Sequence, residues 1–341
     1  MDQAVLDIKG QNLKSMAPQN SDLITQSCMD LKIYDSKDFP AYLPKLNTLY
    51  DDLFSGGKGF RAKLIHLFST HLNVPAKSEQ LLGQTIEFIH NASLLHDDLV
   101  DRSHLRRGKT AAWLRFTPEY AVLAGDYLLA RVMVNLSSFG NIKLVQYTAQ
   151  VISDLLEGEW LQDSLVGDMG LELSQLDRVH NLKTASLFKW CFRSPFILLE
   201  RYEPQLHTTL EEMGTLLGQL FQRSDDLLDF NVRNNEGKAI LGDLKSGYLN
   251  SFGAFATKEL SLQQKMNLRK IKTLEEFYDA IGGVQEFGKK VEEFDELNRF
   301  LIQLYQHHLK TLSHYLKDDE KSLLGKLEPL TEILYWRRNP S

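Results

Sequence analysis

Cysteine is almost absent from this 341-residue sequence, which carries only Cys28 and Cys191 and no CxxC pair. Two cysteines cannot build a disulfide framework, so a reducing, cytoplasmic compartment is expected. Proline is scarce too, with nine residues. Pro40, Pro44, Pro75, Pro118 and Pro204 stand at the edges of apolar stretches, where helices start or stop. No apolar run approaches the roughly 20 residues of a membrane span. The opening "MDQAVLDIKGQN" has neither the apolar core of a signal peptide nor the arginines of a transit peptide. Excess positive charge is also missing: 45 Asp and Glu against 39 Lys and Arg give a formal net charge of −6. A nucleic-acid partner, which needs a basic surface, is therefore not expected.

Apolar residues recur instead at helical spacing. "EQLLGQTIEFIHNASLL", "AVLAGDYLLARVMVNL", "TTLEEMGTLLGQLFQRSDDLLDF" and "NRFLIQLYQHHLKTLSHYL" each show it, several over more than one stripe, as in the centre of a bundle. Segments 102–112, 163–172 and 231–248 read as loops, the last two rich in Gly, Asp and Asn. Strand-like alternation is not evident. The reading is a single all-α domain over 36–341, preceded by a weakly packed peripheral arm over 1–35.

Two acidic clusters share one spelling. "HDDLVD" carries Asp97, Asp98 and Asp101, and "SDDLLD" carries Asp225, Asp226 and Asp229, each D-D-x-x-D late in an apolar helix. Spacing of (i, i+4) puts the first and third Asp on one face, where like charges repel. If the two faces oppose, four to six carboxylates converge, an arrangement that calls for cations. Oxygen ligands alone suggest Mg²⁺, which keeps waters and bridges carboxylates to phosphates. Arg106 and Arg107 follow the first cluster, and guanidinium groups suit phosphate oxygens. Lys58 and Arg61 lie in "GGKGFRAK", Lys183 and Thr184 in "LKTASLF", and Lys238 in "EGKAILGD". Singly, each cation is more often a surface charge; the ensemble carries the weight.

The chain resembles the trans-isoprenyl diphosphate synthases, or polyprenyl synthetases. "GGKGFR", "IEFIHNASLLHDDLVDRSHLRRGK", "LAGDYLLA", "EGEWLQ", "KTASLF", "GQLFQRSDDLLDF" and "GKAILGDL" carry the likeness, in the family's order, over residues 56–244. The resemblance implies an isoprenoid synthase fold, an all-α bundle around a deep central cavity, usually homodimeric. It implies head-to-tail condensation of isopentenyl diphosphate with an allylic diphosphate such as geranyl or farnesyl diphosphate. Asp97, Asp101 and Asp225 would be the principal ligands of about three Mg²⁺ ions, supported by Asp98, Asp226 and Asp229. Arg106, Lys183, Gln222 and Lys238 would hold the allylic diphosphate, with Thr184 nearby; Lys58, Arg61, His90 and Arg107 would hold isopentenyl diphosphate. Ala92 and Ser93, with Ile89 below, are small residues one turn beneath Asp97, where the family's short-chain members carry a large aromatic. A medium- to long-chain product is implied, and contact with a membrane surface at product release stays open.

Two positions depart from the family pattern. Gly59 replaces a cation in GGKRxR, and Tyr248 stands where a Lys is usual, followed by "LNSFGAF" in place of Thr-Leu-Pro. A competing reading is therefore a weakly active partner subunit of a heteromeric synthase. Survival of all six Asp, both Arg and the Lys-Thr pair favours the enzyme. A terpene cyclase, the third reading, would carry Asn, Ser and Glu in its second metal motif.

Overall fold

The computed structural model describes residues 38–55, 59–106, 108–231 and 240–336. The arm assigned to 1–35 lies outside the described residues, as do Lys58, Arg107 and Lys238. The longer helices are α1 (Pro44–Ser55), α2 (Phe60–His71), α3 (Ala76–Val100), α4 (Pro118–Phe139), α5 (Ile142–Leu165), α6 (Leu173–Lys183), α7 (Ala185–Leu198), α8 (Pro204–Leu228) and α9 (Val284–Leu312). Short helical segments fill 242–281 and 322–336. One departure from the all-helical expectation falls in the 102–112 loop, where β1 (Leu105–Arg106) pairs antiparallel with β2 (Lys109–Thr110) across Gly108. Gly108 sits at φ 75°, a left-handed turn position that favours glycine.

Local chemistry explains the boundaries. Pro118 and Pro204 open α4 and α8, where a missing N–H costs no helical bond. Thr117 and Asn141 cap α4 and α5 by accepting from the N–H of Tyr120 and Leu144. Glu172 and Gln175 form a capping box at α6. Gly140, left-handed at φ 91°, closes α4.

Two apolar clusters form the core. One gathers Phe68, Phe188, Phe192 and Phe196 with Leu82, Ile86 and Leu217; the other gathers Phe230, Phe252, Phe277 and Phe294 with Leu220 and Leu227. Each fully buried Leu or Phe contributes about 1.5–3 kcal/mol. Helix α8 runs through both, its first half in the first cluster and its aspartate end in the second. Gly214 and Gly218 let α7 lie against α8: a Cβ at Gly214 would stand 2.6 Å from the Cα of Lys189, and one at Gly218 would overlap Ala185. No helix among the described residues is long and apolar enough to cross a membrane.

Candidate active site

The aspartates of the first cluster close α3, and those of the second close α8. A break between two helices joins them. Helix α6 ends at Lys183, α7 begins at Ala185, and Thr184 sits between. Lys183 Nζ reaches 3.7 Å from Asp97 Oδ2, while Thr184 Oγ1 donates to Gln222 Oε1 at 2.9 Å. Gln222 Nε2 in turn donates to Asp226 Oδ1 at 2.9 Å. Two consecutive residues thus bring the two D-D-x-x-D segments to one place. Close packing at Gly218, one turn before Gln222, sets that register.

Within each cluster the three aspartates differ. In the first, Asp98 is 3% exposed and gripped by the Arg106 guanidinium, whose Nε lies 2.8 Å from Oδ1. Asp97 is half-buried and Asp101 exposed. Burial pushes the Asp97 carboxyl up to about 7; Lys183 opposes this, and Glu159 and Asp101 add to it. Asp101 is raised as well, again by burial first, with Lys183 opposing and Glu159 adding. In the second cluster Asp225 is half-buried, while Asp226 and Asp229 are buried and fully engaged. Asp226 Oδ2 accepts from Ser251 N at 3.0 Å and from Ser251 Oγ at 2.5 Å. Asp229 accepts from the N–H of Gly242 at 2.7 Å and of Asp243 at 3.3 Å. Burial raises Asp226, and its hydrogen bonds from Ser251 and Gln222 oppose the rise.

This is an oxygen-rich donor set short of positive charge. A carboxyl raised by burial and by neighbouring carboxylates would be eased by a cation placed among them. Among the described residues, no three acidic or imidazole groups gather tightly enough to enclose an ion alone. Carboxylate oxygens, one or two at a time with waters and phosphate oxygens, are the donors Mg²⁺ takes.

Arg61 and His90 come together at a second place. Arg61 Nη1 lies 3.2 Å from His90 Nε2, and the guanidinium stands 5.2 Å from the centre of the Phe188 ring. Glu87 Oε1, one turn before His90, accepts from Ala62 N at 3.1 Å and ties α2 to α3 there. Beneath Asp97, Ala92 and Ile89 are packed in the core at 0% and 1% exposure. Ser93 keeps accessible surface and donates to the His90 carbonyl.

Sequence reasoning missed several participants. Glu159 on α5 lies 2.5 Å from Lys183 Nζ. Its sequence signal lies in the "EGEWLQ" stretch of the family likeness, where it follows Gly158, the point at which α5 comes within Cβ contact of Lys183. Asn250 and Ser251 lie in the "LNSFGAF" stretch that departs from the family pattern; Asn250 donates to the Asp226 carbonyl and to Asp243 Oδ2. His180 is buried with Nε2 3.7 Å from Asp226, and burial pushes its pKa down to about 4. Tyr248, at the position of the usual Lys, is half-buried; burial, Asp226, Asp243 and Glu159 all raise its phenol.

Comparison with known proteins identifies this architecture. The polyprenyl synthetase family profile matches residues 43–281, most of the chain, and the chain belongs to that family. It is 35% identical over 193 residues to the octaprenyl diphosphate synthase of Escherichia coli, covering 56% of this chain and 59% of that protein. The chain spans about three fifths of the length of the curated relatives it matches first. Among solved structures, a decaprenyl diphosphate synthase from Rhodobacter capsulatus is similar with a TM-score of 0.77 at 25% identity, covering 88% of this chain and 92% of that one. A polyprenyl synthase from Caulobacter crescentus, complexed with calcium and isoprenyl diphosphate, is similar with a TM-score of 0.75 at 25% identity, over 89% and 92% of the two chains. The all-α fold is that of the polyprenyl synthases.

Proposed function

We propose that this chain is a Mg²⁺-dependent trans-prenyltransferase that condenses isopentenyl diphosphate head-to-tail with an allylic diphosphate, giving a medium- to long-chain polyprenyl diphosphate. The observation that carries this reading is the Lys183–Thr184 break, which joins the Asp97 and Asp225 clusters. The Caulobacter relative's divalent cation and isoprenyl diphosphate are the ligand chemistry such a site would take.

Asp97, Asp101 and Asp225 would hold the metal, with Asp98, Asp226 and Asp229 behind them. Bound Mg²⁺, about three ions, supplies positive charge to the allylic diphosphate as it departs. Lys183, Gln222 and Thr184 would orient that diphosphate, with Lys238. Arg106 would join them by turning from Asp98. Arg61 and His90, with Lys58 and Arg107, would hold isopentenyl diphosphate. The allylic C–O bond breaks to give an allylic cation and diphosphate, and these fixed charges favour the separated state. The double bond of isopentenyl diphosphate attacks the cation, forming the new C–C bond, and the proton then lost passes to the released diphosphate. The apolar wall of α3 keeps water from the cation. A homodimer is the assembly proposed.

The test is to incubate purified protein with labelled isopentenyl diphosphate, farnesyl diphosphate and Mg²⁺, then separate dephosphorylated products by length. A ladder ending at one length, abolished by EDTA, is expected; no extension with any allylic primer, from folded protein, would sink the reading. Ser93→Phe should shorten that ladder. It tests the tail's path more cleanly than a change at Ala92, where added volume would overpack the core at a cost of about 1–3 kcal/mol.

A further inference from the structure

Lys183 has two carboxylates within ion-pair reach, and the nearer one lies outside both aspartate motifs. Its Nζ stands 2.5 Å from Glu159 Oε2 and 3.7 Å from Asp97 Oδ2. All three side chains are only about one-fifth exposed, so water screens the competition weakly. The pairing is fixed by the helix crossing. Glu159 follows Gly158, where a Cβ would lie 2.8 Å from the Lys183 backbone nitrogen. The backbone of Glu159 is therefore held beside the end of α6, within side-chain reach of Lys183.

An ammonium resting on Asp97 would contend with a divalent cation for the same oxygens. Mg²⁺ gives up its waters reluctantly, so a ligand already engaged by an ammonium is a poor first contact. A second carboxylate on the far side of Lys183 changes that balance. We propose that Glu159 is a positioning residue that draws Lys183 away from Asp97, leaving the Asp97 carboxylate to Mg²⁺ and the ammonium free to meet the diphosphate. This rests on the function proposed above. Where Asp97 binds the metal directly, Glu159 acts through Lys183 and touches neither metal nor substrate.

The experiment is a calorimetric titration of the full chain with Mg²⁺ in the presence of inorganic diphosphate. Glu159→Gln keeps the size and an acceptor oxygen but removes the charge. It should weaken Mg²⁺ binding by about tenfold, the low end for groups that act behind a metal ligand. In a Lys183→Met background the same change should shift binding by less than about twofold, since no ammonium remains to be held. Glu159→Asp, which keeps the charge, should restore part of the loss. Equal losses in both backgrounds would show that Glu159 acts only as a general negative charge, and would overturn the inference. Unchanged binding in Glu159→Gln would overturn it as well. Should Glu159→Gln fold poorly, Lys183→Met titrated with Mg²⁺ alone, without diphosphate, decides: tighter Mg²⁺ binding supports the competition, and unchanged or weaker binding refutes it. A wild-type chain that takes up no Mg²⁺ with diphosphate would sink the proposed function and this inference together, whereas normal wild-type binding with an unaltered Glu159→Gln sinks the inference alone.

Discussion

The two aspartate clusters are spelled alike and built differently. Around Asp97 and Asp101 the carboxylates meet side-chain charges, Lys183 and Glu159, and keep accessible surface. At Asp226 and Asp229 they are buried and take their hydrogen bonds from segment 242–251, much of it from backbone N–H groups. The first cluster is an open binding face with one member, Asp98, tied back by Arg106. The second has two of its three members built into the fold, with Asp225 half-buried beside them. One motif therefore stays largely accessible in one helix and is largely built into the fold in the other.

That contrast is broken most sharply by parallel substitutions. Asp97→Ala should cut prenyl transfer by about a thousandfold, the loss of several kcal/mol of cation-mediated stabilisation. Its melting temperature without Mg²⁺ should hold or rise, because a carboxyl destabilised by burial is gone. Asp226→Ala should lose activity and fold stability together. It strands the Ser251 N–H and hydroxyl and the Gln222 amide, at about 2–3 kcal/mol. A thermal melt then separates the two, with a drop on the order of 5 °C for Asp226→Ala alone. Equal melting of both variants would erase the distinction.

The join between the clusters is the next place to press. Gly218→Ala puts a methyl into the backbone of Ala185, and α7 must move off α8. Overpacking of this kind costs about 1–3 kcal/mol. Gln222 sits one turn further on, so the Thr184–Gln222 hydrogen bond should loosen too. The expected outcome is about a tenfold loss in kcat/KM, in line with the penalty for a small misplacement of binding groups. Gly288→Ala, at a helical glycine with nothing near its Cβ, is the control: it should leave the rate unchanged and hold or slightly raise the melt, by about 0.5–1 kcal/mol of helix propensity.

Much of this was legible in the sequence, and the reasons are physical. Helical periodicity in α3, α4, α8 and α9, with prolines and Asn, Thr and Gly at their ends, encodes the elements locally. The paired carboxylates and the cations between them are what carried the reading of a diphosphate site, because such charges have few other uses in one pattern. What sequence could not show is which aspartate is turned inward, since Asp226 and Asp229 depend on partners in segment 242–251 reached only through tertiary packing. Glu159 was hidden for a related reason: its meaning comes from the crossing of α5 with α6 at Gly158. The hairpin at Leu105–Thr110 is too short for alternation to register.

The pH response of the first cluster follows from Asp97. Its pKa is raised from the ordinary carboxylate range to about 7, so the metal-free fold binds a proton that the unfolded chain releases. Stability from this group is therefore full below pH 4 and is lost as pH rises through about 7. Mg²⁺ needs the ionised form, so its binding should release close to one proton near pH 6 and almost none near pH 9. The rise in melting temperature caused by Mg²⁺ should grow between pH 5 and pH 8. Asp97→Ala should flatten that trend, and a trend that survives the substitution would place the titrating group elsewhere.

The smallest expected effect comes from the second cluster's odd residue. Tyr248 occupies the position at which the family pattern carries Lys, facing Asp226, Asp243 and Glu159. Its phenol can donate one hydrogen bond but brings no charge at neutral pH. Tyr248→Lys would add an ammonium to a site rich in carboxylates and short of cations. Affinity for inorganic diphosphate with Mg²⁺ should rise by about three- to tenfold, as expected for one added charged contact of about 1 kcal/mol. The gain should appear mainly in KM rather than kcat, because Tyr248 lies beside the buried, constructional half of the second cluster rather than on the open face of Asp97. A fall in diphosphate affinity would mean that the phenol already contacts the diphosphate. The two clusters would then differ less in function than their burial suggests.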